Sequence, residues 1–366
     1  MSIIQPPPLR VMLCDDSSTV RSALARLLET DPGIRIVARV GDGAQALAAL
    51  DRAAPPDRAQ VVLLDLEMPV MDGMTALPLI LQREPRPVVI VASALTQRGA
   101  GATMAALRAG ASDYIPKPGA SAGALADPHF RGELLAKVKG WARLGQKPAA
   151  RPAVMPAPAA RPSVPRVRTG LRAVVPTVVC IGSSTGGPQA LAALIRRLPR
   201  QPAVPMLVVQ HMPRGFTAML AQHLDTLGGP PVSEAREGDV LEAGRIFVAP
   251  GDRHLLTRAE GEQVLLRLSE APPENFCRPA VDPTLRSLVA TFGHSVQAVI
   301  LTGMGQDGLA GCQLVARAEG QVWAQDEASS VVWGMPGAVA RAGLAAEQGT
   351  PESLGDALAK LCGRRA

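Results

Sequence analysis

Eight residues have the types and spacing to do chemistry, five in the first third of the chain and three in its second half. Asp15 and Asp16 follow the apolar run VMLC, Asp65 follows VVLL, Ser93 closes VVIVA, and Lys117 follows YIP. Singly these are ordinary: a pair of aspartates after a strand is usually a helix cap, and a lone lysine is usually a surface lysine. Each, however, stands at a strand end. Three carboxylates at one sheet edge repel one another, and a hard divalent cation such as Mg²⁺ is the usual relief. A hydroxyl and a fixed positive charge at the same edge complete a phosphoryl-binding site, with Asp65 as the acceptor.

The second group starts at TVVCIGSSTGG, Thr177 to Gly187. Its glycines do not match GxGxxG, and Pro188 stands where a phosphate-binding loop needs lysine, so nucleotide binding is not the reading. Gly182-x-Ser184-x-Gly186 matches a strand-turn-helix nucleophile elbow, whereas Ser183 fits no such frame. A serine nucleophile needs a base and an orienting acid. His211 directly follows the core-like strand PMLVVQ and is the favoured base, with His254 in VAPGDRHL as the alternative. For the acid, Asp307 in the glycine-rich TGMGQDG loop is preferred to Asp326 in WAQDE. The chain order Ser, His, Asp differs from the Ser, Asp, His order of α/β-hydrolases.

These residues need parallel strands to bring them to common edges. In the first part LRVMLC, IRIVARV, VVLLD, PVVIVAS and ASDYIPKP alternate with helical patterns around residues 20–30, 43–52, 74–82 and after Gly101. In the second, TVVCIG, PMLVVQ, RIFVAPG, VLLRLSE, VQAVILTG and QVWAQD do the same, with a helix over 188–198 and a last one signposted by Thr350, Pro351 and Gly363. Both patterns predict α/β domains built on doubly wound parallel sheets, with function at the strands' carboxyl ends.

Between them, residues 145–176 hold Lys147, Arg151, Arg161, Arg166, Arg168 and Arg172 and no acidic residue, in a Pro- and Ala-rich stretch that reads as a linker. That segment equals the whole formal net charge of +6, so the remainder is neutral and a folded basic groove for nucleic acid is not expected. No apolar run approaches the roughly 18 residues of a membrane span, and the amino terminus has no leader pattern; a cytoplasmic protein without membrane insertion is expected. Five scattered cysteines form no CxxC pair and read as reduced thiols. With only nine aromatic residues, the cores must be built from Val, Leu, Ile and Ala.

Through CDDS at 14–17, LDLEMPVMDG at 64–73, ASALT at 92–96 and YIPKP at 114–118, the first part resembles the response-regulator receiver family. The resemblance implies that Asp65 is phosphorylated, that Asp15 and Asp16 with Asp65 hold Mg²⁺, that Ser93 and Lys117 contact the phosphoryl oxygens, and that Tyr114 changes rotamer on activation. Through IGSSTGGP at 181–188, VVQHMP at 208–213, VAPGDRH at 248–254, LTGMGQDG at 301–308 and VVWGMPG at 331–337, the second part resembles the catalytic domain of the chemotaxis protein-glutamate methylesterases, the CheB family. That likeness implies a receiver domain at 9–126, a connecting helix and linker at 127–172, and a Rossmann-like catalytic domain at 173–364.

It also implies a Ser184, His211, Asp307 triad without a cofactor, which hydrolyses glutamate methyl esters and deamidates glutamines on methyl-accepting chemoreceptors. Thr185 and Met304 are expected to supply oxyanion-hole N–H groups. Control by a chemotaxis histidine kinase through Asp65 is expected as well, the unphosphorylated receiver covering the catalytic edge. One departure from the family pattern is Ser183, where alanine is usual. Two other readings of the second part are a non-catalytic binding module and a DNA-binding output domain; the neutral charge outside the linker disfavours the latter.

Overall fold

The computed structural model describes residues 7–94, 96–117, 127–145 and 176–363. The chain splits into two compact units, Met1–Ala149 and Ala150–Ala366. Nearly all of the expected linker lies outside the described residues.

The first unit is a five-stranded sheet of β1 (Leu9–Cys14), β2 (Ile34–Val40), β3 (Val61–Asp65), β4 (Val88–Ser93) and β5 (Asp113–Pro116), in the order β2-β1-β3-β4-β5 with every pair parallel. β3 is buried along its whole length, which is why it reads as an unbroken apolar run rather than an alternation. Four helices begin where a side-chain oxygen of Ser17, Asp42, Asp72 or Thr96 accepts an otherwise unpaired backbone N–H of the first turn. The Thr96 cap starts its helix at Gln97, earlier than the pattern after Gly101 indicates. The order reverses between β1 and β3, so the residues that follow those two strands face one crevice.

The second unit holds β6 (Val178–Ser183), β7 (Met206–Gln210), β8 (Val232–Glu234), β9 (Ile246–Val248), β10 (His254–Glu260), β11 (Gln263–Ser269), β12 (Val296–Ile300), β13 (Gln321–Gln325) and β14 (Glu347–Gly349). Seven of them form a parallel sheet ordered β14-β13-β12-β6-β7-β9-β8. Its core is aliphatic, with Val178, Cys180, Leu207, Val209, Val281, Leu285, Ala298 and Ile300 all without solvent exposure. The stretch VLLRLSE is a strand, but it belongs to the separate antiparallel pair β10–β11. Its partner β10 escapes the sequence pattern because it runs from buried His254 and Leu255 into the exposed Arg258, Ala259 and Glu260. β8 and β14, three residues each, are too short to show any period. The reversal of strand order lies between β6 and β12, which makes the carboxyl ends of β6, β7 and β12 the place for a site.

Candidate active site and acidic cluster

In the first unit Asp15 follows β1 and Asp65 ends the neighbouring β3, and Asp15, Asp16 and Asp65 each present a carboxylate oxygen within 4.8 Å of the others. Asp15 Oδ1 accepts from Ser17 N at 2.9 Å, and Asp65 Oδ1 from Glu67 N at 3.1 Å. The remaining oxygens, Asp15 Oδ2 and Asp65 Oδ2, are buried and make no directional hydrogen bond, although Lys117 Nζ stands 3.1 Å and 2.5 Å from them. Burial pushes the Asp65 carboxyl above its ordinary range despite that ammonium. Two buried carboxylate oxygens that face only the Lys117 ammonium, with the exposed Asp16, form a donor set that fits a hard divalent cation.

Ser93 is buried, and its hydroxyl donates to Gly99 O at 3.0 Å; Lys117 is tied to the same strand end by its N–H to Ser93 O at 2.7 Å. The Tyr114 ring is buried, with Lys137 Nζ 4.7 Å from its centroid and 2.6 Å from the Tyr114 carbonyl oxygen.

In the second unit β6 ends at Ser183 and a helix begins at Gly187, so Ser184 occupies the turn between them, partly exposed. The turn closes through Gly187 N to Ser184 O at 2.8 Å, and Gly186 caps the helix at φ 75°, a conformation in which any other residue is strained. Ser184 N donates to Thr302 O at 3.0 Å. A Cβ on Gly303 would lie 2.9 Å from Ser184 Cβ and 2.3 Å from Met335 Sδ, so only glycine lets the loop after β12 approach the serine this closely.

Ser183 turns to the neighbouring strand instead. Fully buried, it donates its hydroxyl to Gln210 Oε1 at 2.7 Å, while Gln210 Nε2 donates to the Ser184 and His211 carbonyls at 2.9 and 3.2 Å. Gln210 thus ties the end of β6 to the end of β7.

His211 follows β7, and its N–H donates to Ser183 O at 3.1 Å. Its Nε2 lies 2.7 Å from Asp307 Oδ2, and its Nδ1 lies 3.3 Å from Cys277 Sγ. Asp307 also accepts Val281 N at 2.6 Å and Asp282 N at 3.1 Å, the first N–H groups of the helix Val281–Phe292, together with Asn275 Nδ2 at 3.0 Å. A carboxylate at a helix amino terminus is favoured by the unpaired N–H groups there. Burial alone would keep the His211 ring neutral, but the hydrogen bonds to Asp307 and Cys277 outweigh it and raise its pKa to about 10. Burial opposes the Asp307 charge too, yet His211 and the backbone N–H groups hold that carboxyl below its ordinary range. Burial and the nearby Asp307 push Asp282 up to about 6, against its hydrogen bond from Gly311 N.

The two alternatives lie elsewhere. His254 is buried between Pro272 O, 3.1 Å from its Nε2, and Ala280 N, which donates to Nδ1 at 3.2 Å; it staples both ends of one loop. Asp326 accepts Ser329 N at 2.7 Å and shapes its own turn.

Neither Thr185 N–H nor Met304 N–H has a partner among the described residues. The carbonyl of each peptide is held: Ser184 O by Gly187 N and Gln210 Nε2, Gly303 O by Gly334 N and Met335 N. Because N–H and C=O are antiparallel in a trans peptide, these bonds fix two free N–H directions. Thr185 Oγ1 is likewise buried without a partner. Gln210, Asn275 and Asp282 went unnoticed in the sequence; only the position of Gln210 immediately before His211 could have drawn attention to it.

A serine turn, a strand-end histidine and a helix-capping aspartate at a Rossmann-type switch point, fused to a receiver, define a response regulator with a hydrolase effector. The CheB methylesterase profile matches residues 179–358 and the response regulator receiver domain profile residues 11–126. The chain is 44% identical, over the full length of both proteins, to protein-glutamate methylesterase/protein-glutamine glutaminase 1 of Paramagnetospirillum magneticum. It is 45% identical to the protein-glutamate methylesterase/protein-glutamine glutaminase of Azospirillum brasilense over 98% of this chain and 94% of that one. The crystal structure of the Thermotoga maritima CheB methylesterase catalytic domain superposes with a TM-score of 0.50 at 40% identity, covering 51% of this chain and all of that domain. The chain belongs to the CheB family of response-regulator methylesterases, and it is a carboxylic-ester hydrolase. Among the described residues no helix is long and apolar enough to cross a membrane.

Proposed function

We propose that this hydrolase removes methyl groups from glutamate γ-esters of methyl-accepting chemoreceptors, and deamidates receptor glutamines, with Ser184 as nucleophile, His211 as base and Asp307 as its orienting acid. The observation that carries the reading is the 2.7 Å contact of Asp307 with His211 Nε2 on the strand end beside Ser184. It leaves Nδ1 as the nitrogen that takes the Ser184 proton. The serine oxygen attacks the ester carbonyl, and the oxyanion is met by Thr185 N–H and Met304 N–H, each such donor contributing roughly 100-fold or more in rate. The imidazolium returns its proton to the departing methoxide, and methanol leaves. Water, deprotonated at the same nitrogen, then frees the glutamate; an amide follows the same course with ammonia leaving.

The receiver unit, residues 9–126, takes a phosphoryl group on Asp65 from a chemotaxis histidine kinase, and a connection over 127–172 relays control to the catalytic unit, residues 173–364. Asp15, Asp16 and Asp65 would hold Mg²⁺, which when bound offsets the charge that gathers during phosphoryl transfer. Ser93 and Lys117 receive the phosphoryl oxygens, and Tyr114 follows Ser93 when that hydroxyl turns.

Methanol release from methylated receptor tests the core of this reading. Ser184→Ala should lose at least roughly 1,000-fold in rate, whereas Ser183→Ala should stay within a few-fold of wild type. Equal rates for Ser184→Ala and wild type would refute the nucleophile assignment.

A further inference from the structure

Cys277 is the one cysteine of five that solvent reaches. It closes a two-residue turn, with Glu274 N and Cys277 N each bonded to the other residue's carbonyl at 3.1 and 2.9 Å. The central residues Asn275 and Phe276 both have positive φ, 52° and 63°, which is costly for a bulky side chain such as Phe276. The turn is nevertheless held from three directions. His254 staples Pro272 and Ala280, Arg278 bonds to Glu270 O and Ala271 O, and Asn275 reaches Asp307 and Asp282 at 3.0 Å each. The outcome of that bracing is a sulfur 3.3 Å from His211 Nδ1.

We propose that Cys277 is a positioning residue of the esterase: its sulfur holds the His211 nitrogen that must accept the Ser184 proton, and so sets the pH range in which that base is free. The inference rests on His211 being the base of Ser184. Ser184 Oγ has no hydrogen-bond partner among the described residues, whereas Nδ1 does. As a thiol, Cys277 donates S–H to the Nδ1 lone pair; when the proton crosses to the ring, the thiolate accepts Nδ1–H. In both states the serine must displace sulfur before it can transfer its proton.

The other ionisable groups around the ring are few among the described residues. Asp307 comes from the loop after β12, and Asp282 lies behind it at the start of its helix. Cys180 on β6 and Cys312 on the helix Leu309–Arg317 are buried near Asp307, and burial raises both thiols. Arg278 turns its guanidinium to Asp252. Of these, Cys277 alone meets Nδ1, and when its sulfur accepts Nδ1–H it favours the protonated ring, as Asp307 does at Nε2.

The test is the pH profile of kcat/KM for the full-length protein, with kcat and KM resolved separately. Cys277→Ala should move the acid limb to lower pH by about one unit, about tenfold in relative rate on that limb, with KM unchanged. Cys277→Ser, which keeps a hydrogen-bond partner that does not ionise, should fall between. Wild type treated with methyl methanethiosulfonate provides a readout that needs no variant to fold. The thiolate attacks the sulfenyl sulfur, a methyl disulfide forms on Cys277 and methanesulfinate leaves. Activity should fall and return with dithiothreitol, and the Cys277→Ala protein should be insensitive. An unchanged acid limb in both variants, or one equivalent of disulfide on Cys277 without effect on rate, would overturn the proposal. Loss of Ser184 dependence would instead strike the underlying triad reading.

Discussion

Asp65 and Asp307 are each 2% exposed at the carboxyl edge of a parallel sheet, yet their surroundings are opposite. Both Asp307 oxygens are occupied, by His211, Asn275 and the backbone N–H groups of Val281, Asp282 and Gly308. Asp65 has one hydrogen-bonded oxygen and one that only faces the Lys117 ammonium. A carboxylate whose task is to hold a ring in place is best fully occupied, since a fixed charge costs no reorganisation when the imidazolium forms. A carboxylate that must itself take a metal or a phosphoryl group needs lone pairs free, and its unfavourable burial is the cost of keeping them so. Under the proposed roles, the more crowded aspartate is the passive one.

Asparagine at each position sharpens the contrast most. Asp307→Asn should cut kcat by roughly 10,000-fold, as when an orienting acid is lost and the wrong tautomer results, and should lower the melting temperature of the catalytic unit. Asp65→Asn should abolish phosphoryl incorporation while leaving the receiver as stable as before or more so, because a buried like charge is removed. If both substitutions destabilise equally, the contrast fails.

The pH dependence follows from the same pair. With the His211 pKa raised to about 10, the neutral base becomes more abundant as pH rises, so kcat/KM should climb from pH 7 toward 10. Stability runs the other way. A raised folded-state pKa contributes stability that is complete below the unfolded value near 6.5 and is lost as pH rises through the folded value near 10. Melting scans of wild type over that window should show a decline that Asp307→Asn flattens; a decline of the same steepness in the variant would place its origin elsewhere.

The smallest effect should come from Mg²⁺. At about ten times its dissociation constant it should stabilise the receiver by roughly 1.4 kcal/mol and leave the catalytic unit unchanged, read as separate transitions in calorimetry. Asp16→Ala should remove most of that gain. A shift in the catalytic unit as well would show that the saturated site is not closed to the cation.

The chain alone made legible the features that depend on local order. Continuous apolar runs marked the buried parallel strands, and a residue directly after such a run stands at the edge where the sheet's chemistry gathers; Asp15, Asp65 and His211 were singled out that way. The Gly-x-Ser-x-Gly frame put Ser184 rather than Ser183 in the turn because elbow geometry is set within five residues. Short or fading strands such as β8, β10 and β14 were lost, since three residues carry no period and a strand that runs into solvent carries little. Tertiary structure alone decided which nitrogen of His211 meets Asp307, that Asn275 and the start of a helix saturate that carboxylate, and that Cys277 reaches the other nitrogen. Those contacts join residues as much as 96 positions apart. They depend on where loops of no fixed period fold back onto the sheet, a matter of packing that no pattern along the chain encodes.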